Sequence, residues 1–214
     1  MSDELLQRDR RGAVELLRID TNRSNSLDLS ALAAMAAALE EAEAHAETQV
    51  LLLTGRPGIF SSGLDPAALA SEGDVLREDM RRLLRRLLAS RLRIVVCVTG
   101  HALGAGAALL LVADVRVSAK GPFKIGFPEV GQNQPLSDFA IALARQRLDR
   151  RAFETATMLG RLYAPDEAMQ AGFVDWIEGA GRALKAATAS AEQLARLPEA
   201  AYLRALAQVR KDLL

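Results

Sequence analysis

One cysteine and two histidines are spread over 214 residues, and aromatic side chains make up only 4%. The lone Cys97 lies inside the apolar run "IVVCV". It can form no internal disulfide and reads as a small buried thiol. With only His45 and His101 beside it, no metal site is expected. Net charge is also missing, since 27 basic residues face 27 acidic ones. That balance argues against a nucleic-acid or membrane-surface partner, and a neutral chain tends to associate. The longest apolar run, "ALGAGAALLLVA" (102–113), is Gly-punctuated and far too short for the ~30 Å of a bilayer core. No positively charged start followed by an apolar stretch is visible, so the expected location is cytoplasmic. Chemistry is left to carboxylates, hydroxyls and backbone groups.

What is present is a half-hydrophobic chain dominated by alanine and leucine, a length that fits one domain over 1–214. "GAVELLRID" (12–20) starts as a strand, and "SLDLSALAAMAAALEEAEAHAE" (26–47) carries Leu32, Met35, Ala36 and Leu39 at helical spacing behind caps at Ser26 or Asp28. "QVLLLTG" (49–55) and "RIVVCVTG" (93–100) are continuous apolar runs, the pattern of strands buried on both faces. Between them, "GRPGIFSSGLDP" (55–66) reads as a loop, and 75–92 as a helix with Leu76, Met80, Leu83, Leu84 and Leu87 on one face and arginines on the other. "HALGAGAALLLVAD" (101–114) reads as a loop entering an apolar helix, "VRVSA" (115–119) as a strand and "FKIG" as a short one. From "LSDFAIALARQRL" (136–148) onward the chain is mainly helical, with Pro165 in a first turn, Gly172 as a C-terminal cap and a brief strand in "FVDWI". Strands alternating with helices give an α/β class with parallel sheet.

Two loops, "FSSGLDPAAL" (60–69) and "GHALGAGAAL" (100–109), share one logic. Each follows a buried strand, contains glycine and leads into a helix start whose free N–H groups point outward. Paired, such groups stabilise a developing oxyanion by roughly 3 kcal/mol per donor. Taken singly, each reads first as a tight packing turn. Gly100, Gly104 and Gly106 fall at the wrong offsets for a dinucleotide fingerprint, and no Walker loop is present. Ser61 and Ser62 have no histidine partner that would make them nucleophiles.

"LLLTGRPGIFSSGLD", "VTGHALGAGAALLLVADVRV" and "FKIGFPEVG", in this order and at these separations, resemble the enoyl-CoA hydratase/isomerase, or crotonase, superfamily. The resemblance runs from the first strand through "MLGRLYAPDEAMQAGFVDWI". It implies a crotonase-like spiral of ββα units over about 1–150, a helical C-terminal region over about 151–214, and a homotrimer or dimer of trimers. It also implies an acyl-CoA thioester substrate of fatty acid metabolism, with coenzyme A part of that substrate and no separate cofactor. The thioester oxygen would be held by the backbone N–H groups of Leu64 and Ala105, flanked by Ser62, Gly63, Gly104 and Phe127 as substrate-binding residues. Asn25, at the Asn-x-Leu position, would be structural. For the arginine-rich face of 77–93 two readings stay open: a solvated helix surface, or a face near a trimer edge or the CoA phosphates.

Two-acid hydratases of this family place their first glutamate where this chain has Ala108; their second matches Glu129. One carboxylate suffices to move a double bond, and "FKIGFPEV" looks most like members that convert 3-enoyl-CoA to 2-enoyl-CoA. Flanking Ile125, Phe127, Pro128 and Val130 would desolvate Glu129 and strengthen it as a base. Gln132, Asn133, Gln134 and Ser137 point either to an exposed loop or to a polar acyl pocket, and Asp138 is a second candidate carboxylate. Two other readings are a hydratase, lyase or hydrolase on the same scaffold, and a non-catalytic acyl-CoA binder or assembly subunit.

Overall fold

The computed structural model describes residues 5–179 and 181–214. Strand β1 (Leu6–Arg11) turns back antiparallel on β2 (Val14–Ile19). From β2 the chain winds through four strand–strand–helix turns. The first continues into β3 (Ser26–Leu27) and α1 (Leu29–Ala44). The second is β4 (Val50–Thr54), β5 (Gly58–Ser61), β6 (Gly63–Leu64) and α2 (Pro66–Ala89). The third is β7 (Arg93–Val98), β8 (Gly100–Leu103) and α3 (Ala105–Leu111). The fourth is β9 (Val115–Ala119), β10 (Ile125–Gly126) and α4 (Asp138–Arg147). There follow α5 (Arg150–Thr157), β11 (Leu162–Tyr163), α6 (Pro165–Ala171), β12 (Trp176–Glu178), α7 (Ala183–Leu194) and α8 (Glu199–Val209).

The first strand of each turn joins a six-stranded sheet in the order β1-β2-β4-β7-β9-β12, parallel except for β1. Second strands build a smaller sheet, β11-β10-β8-β5, while β3 and β6 pair with each other. Repetition of that division makes the spiral. The apolar runs of β4 and β7 follow from burial on both faces: Leu51, Leu53, Ile94, Val96 and Val98 enter the main core. Val50, Leu52, Val95 and Cys97 instead meet Ala183, Ala187 and Ala191 of α7. Alanine at every fourth position lets α7 lie close on the sheet. Burial pushes the Cys97 thiol up to about 11, as suits a packing residue.

Several sequence expectations need correction. The stretch 55–66 is not a plain loop, since it contains β5 and β6, and "GHAL" (100–103) is strand β8. Neither shows hydrophobic alternation long enough to read, because both are short strands fixed by neighbours distant in sequence. The helix expected from 75 starts at Pro66, where the Asp65 carboxylate accepts from the Ala67 and Ala68 N–H groups, and it bends at Glu72. In "FVDWI" the strand begins only at Trp176, while Phe173 and Val174 pack in the core. Asp28, not Ser26, caps α1, accepting from the Ala31 N–H. No described helix is long and apolar enough to cross a membrane.

Helix α3 is short and central, and buried cations hold its C-terminal carbonyls. Arg147 donates to the Leu111 and Ala113 carbonyls at 3.0 and 2.7 Å, and Arg210 to that of Val112 at 3.3 Å. Arg210 also reaches the Leu88 carbonyl at the end of α2 and the Asp114 carboxylate at 2.7 Å, so it ties the last helix to both α2 and α3. Loss of one partner from a buried pair costs about 3–5 kcal/mol. Asp114 would keep the Ile94 N–H and the Tyr202 hydroxyl, which favours the lower end. Arg210→Ala is therefore expected to destabilise the protein by about 3 kcal/mol, read from the midpoint of urea unfolding.

Candidate functional site

Ends of three strands from successive turns of the spiral converge on one cavity of about 110 Å³. Ser62, Gly63 and Leu64 come from the β5–β6 segment, Gly104, Ala105 and Ala108 from the start of α3, and Glu129 from the loop after β10. Asn25 anchors the first of these. Wholly buried at φ +48°, it donates through Nδ2 to the Ile19 and Phe60 carbonyls, and its own carbonyl accepts from Ser61 Oγ at 2.8 Å. Its structural assignment agrees with these contacts.

Backbone contact brings the two glycine loops together. A methyl group on Gly63, at φ +99°, would lie 2.9 Å from the Leu103 carbonyl oxygen and 3.3 Å from the Ala105 nitrogen. One on Gly104, at φ +53°, would lie 2.9 Å from Glu129 Oε1. Only glycine meets both the left-handed backbone and the missing space. The Asp65 N–H donates to the Leu27 carbonyl, so strand alternation turns the Leu64 N–H the other way, off β3. The Ala105 N–H opens α3, where amides lack intrahelical acceptors.

Glu129 is placed from below. The Gly104 N–H donates to the Gly126 carbonyl at 3.0 Å, joining the second glycine loop to the strand before the acid. The Glu129 carbonyl then accepts from the Gln132 and Gln134 N–H groups at 3.0 and 2.9 Å, closing a tight helical turn over Val130–Gln132. Its Oε2 is buried without a hydrogen-bond partner among the described residues. Burial raises its pKa above the usual carboxylate range, as the apolar flank suggests, although Val130 itself turns outward.

Ser62, Gly63, Leu64, Gly104, Ala105 and Glu129 thus meet at one cavity, as the sequence expectation requires. Phe127 and Asp138 do not. Phe127 is 2% exposed and packs on Phe173 at 5.6 Å between ring centroids, so it anchors the Glu129 loop from the core instead of touching a ligand. Asp138 is the exposed first residue of α4, behind Ser137, whose hydroxyl accepts from the Ala140 N–H. Ser137 and Ala140 on either side of it line the cavity, and Asp138 does not. Sequence reading missed the α2 wall of the cavity, which contains Leu69, Arg77, Met80, Arg81 and Leu84. Arg77 and Arg81 flank the apolar stripe of that helix, a spacing that marks the rim of a buried face.

Comparisons with known proteins agree with this geometry. The family model "Enoyl-CoA hydratase/isomerase" matches residues 9–213. Human mitochondrial enoyl-CoA delta isomerase 1 is 29% identical over 97% of this chain and 70% of its own length. A putative enoyl-CoA hydratase of Thermus thermophilus is 29% identical over 83% and 72%. A crystal structure of an enoyl-CoA hydratase/isomerase family protein from Pseudomonas syringae superposes with a TM-score of 0.92 at 34% identity, covering 98% of this chain and 92% of that one. With the strand–strand–helix spiral and the two glycine loops facing Glu129, the chain belongs to the enoyl-CoA hydratase/isomerase family.

Proposed function

We propose that the protein moves the double bond of a 3-enoyl-CoA to the 2-position, with Glu129 as the single base. The observation that carries this reading is that Glu129 is the one carboxylate among the described residues lining the cavity, with one oxygen buried and unpartnered. Its carboxylate takes a proton from carbon 2, and the electron pair spreads into a dienolate whose charge rests on the thioester oxygen. The Leu64 and Ala105 N–H groups hold that oxygen. The protonated Glu129 then returns the proton at carbon 4, leaving the double bond between carbons 2 and 3.

Hydration would need a second group to handle water, and at the cavity wall Ala108 offers only a methyl. Coenzyme A arrives as part of the substrate, so the cycle calls for no other cofactor. A homotrimer or dimer of trimers belongs to the same reading, and the exposed Met158 and Leu159 supply apolar surface for it.

Glu129→Gln is expected to lower kcat on a 3-enoyl-CoA by about 10²–10⁴ or more, followed by absorbance of the conjugated thioester. Full activity in that variant would sink the assignment, and hydration of a 2-enoyl-CoA instead would replace isomerisation. Because the base must be ionised and its pKa is raised, wild-type kcat should fall on acidification at a pH above the ordinary glutamate value of about 4.3.

Stability should move oppositely. A raised folded-state pKa means that the folded protein binds this proton more tightly than the unfolded chain, so the ionised group destabilises the fold above that pKa. The penalty fades as pH falls through the raised value toward the ordinary one. Glu129→Gln should accordingly raise Tm at neutral pH by a few degrees, at about 2–4 °C per kcal/mol for a chain of this size, with the gain shrinking on acidification. An equal or lower Tm at neutral pH in a folded variant would contradict the desolvation account.

A further inference from the structure

The cavity changes character along its walls. Glu129 and the two glycine loops form one part, Met80 and Leu84 of α2 form buried apolar wall, and Arg77, Gln132, Gln134 and Ser137 bring polar groups to the same space. Arg77, Gln132, Gln134 and Ser137 are solvent-exposed, and a plain hydrocarbon chain reaching them has nothing to offer a guanidinium or two amides.

The two cavity arginines differ in availability. Arg81 donates to both Glu78 oxygens at 2.6 and 2.8 Å, and Glu78 also accepts from Arg82. Arg77 makes no side-chain hydrogen bond to any described residue. Its carboxylate neighbour, Asp74, is 3.8 Å away and fully solvated. A planar, partly exposed fork of donors at a cavity wall, held among the described residues only by a loose 3.8 Å ion pair to a solvated aspartate, is free to take a carboxylate in two-point geometry. Arg77 and Glu129 line the same cavity, and no hydrogen bond or ion pair joins them.

We propose that Arg77 is a specificity residue that receives a carboxylate at the far end of the acyl chain, so that the substrate class is a short ω-carboxyacyl thioester. A cavity of about 110 Å³ suits a short chain. The proposal rests on the acyl-CoA isomerase reading of this same cavity. A CoA phosphate is the other anion that could supply the acceptor, and the experiment separates the two.

Glutaryl-, adipyl- and pimelyl-CoA, paired with pentanoyl-, hexanoyl- and heptanoyl-CoA, differ only in the terminal group and are saturated, so calorimetry reads binding without turnover. In at least one pair the wild type should bind the carboxylated member about tenfold tighter or more, equivalent to about 1.4 kcal/mol. In Arg77→Gln the two affinities should converge. Equal affinities in the wild type, or a preference that survives in Arg77→Gln, would overturn the proposal. So would an equal weakening of both members together with free CoA, which would assign Arg77 to a phosphate. A 3-enoyl-CoA left unconverted while the pairwise preference stands would refute isomerisation alone and leave carboxylate recognition in place.

Discussion

The site depends on a backbone contact. Gly63 and the Gly104–Ala105 turn approach so closely that a methyl on either glycine would collide with the other loop or with Glu129. Two amides can face one oxygen only if their chains come within van der Waals distance, and side chains at those positions would hold them apart. The contact in turn requires strand ends from successive turns of the spiral to lie side by side, which the parallel pairing of β5 with β8 and of β8 with β10 provides. Buried Asn25 fixes one loop, and the Gly104 to Gly126 hydrogen bond fixes the other.

Around that contact, hydrogen bonds from buried side chains hold the elements in place. The C-terminal carbonyls of α3 are taken up by Arg147 and Arg210, whose donors have few alternatives in the interior. Burial and the neighbouring cations Arg116 and Arg210 bring Arg147 down to about 10, still charged at neutral pH. The other end of the same helix lines the cavity through Gly104 and Ala105, beside a Glu129 oxygen that has no hydrogen-bond partner among the described residues. An unpaired buried acceptor is costly to a fold, and it accumulates where chemistry is carried out. One end of this short helix is thus held by buried cations while the other borders the cavity.

Much of this was legible in the chain itself. The buried runs of β4 and β7 announce a parallel sheet, Pro165 and Gly172 mark helix ends, and "GFPEVG" singles out Glu129. Short strands such as β3, β5, β6 and β8 left no readable pattern, because two to four residues span too little of a period. Phe127 looked like a pocket residue because it lies two positions from the acid. Its ring goes to Phe173, forty-six positions on, which local sequence cannot indicate.

The α2 wall draws the same boundary. Sequence periodicity alone determined that Met80 and Leu84 face inward and that arginines flank them, since a helix repeats every 3.6 residues wherever it is placed. It also determined the number and kind of reactive groups available: a carboxylate at Glu129, an alanine at 108 and glycines in both loops. Only the tertiary structure decided that Arg77 shares a cavity with Glu129 while Asp138 does not. The reason is geometric: local spacing sets the direction of a side chain relative to its own element, while the direction of one element relative to another is set by packing between residues far apart in the chain.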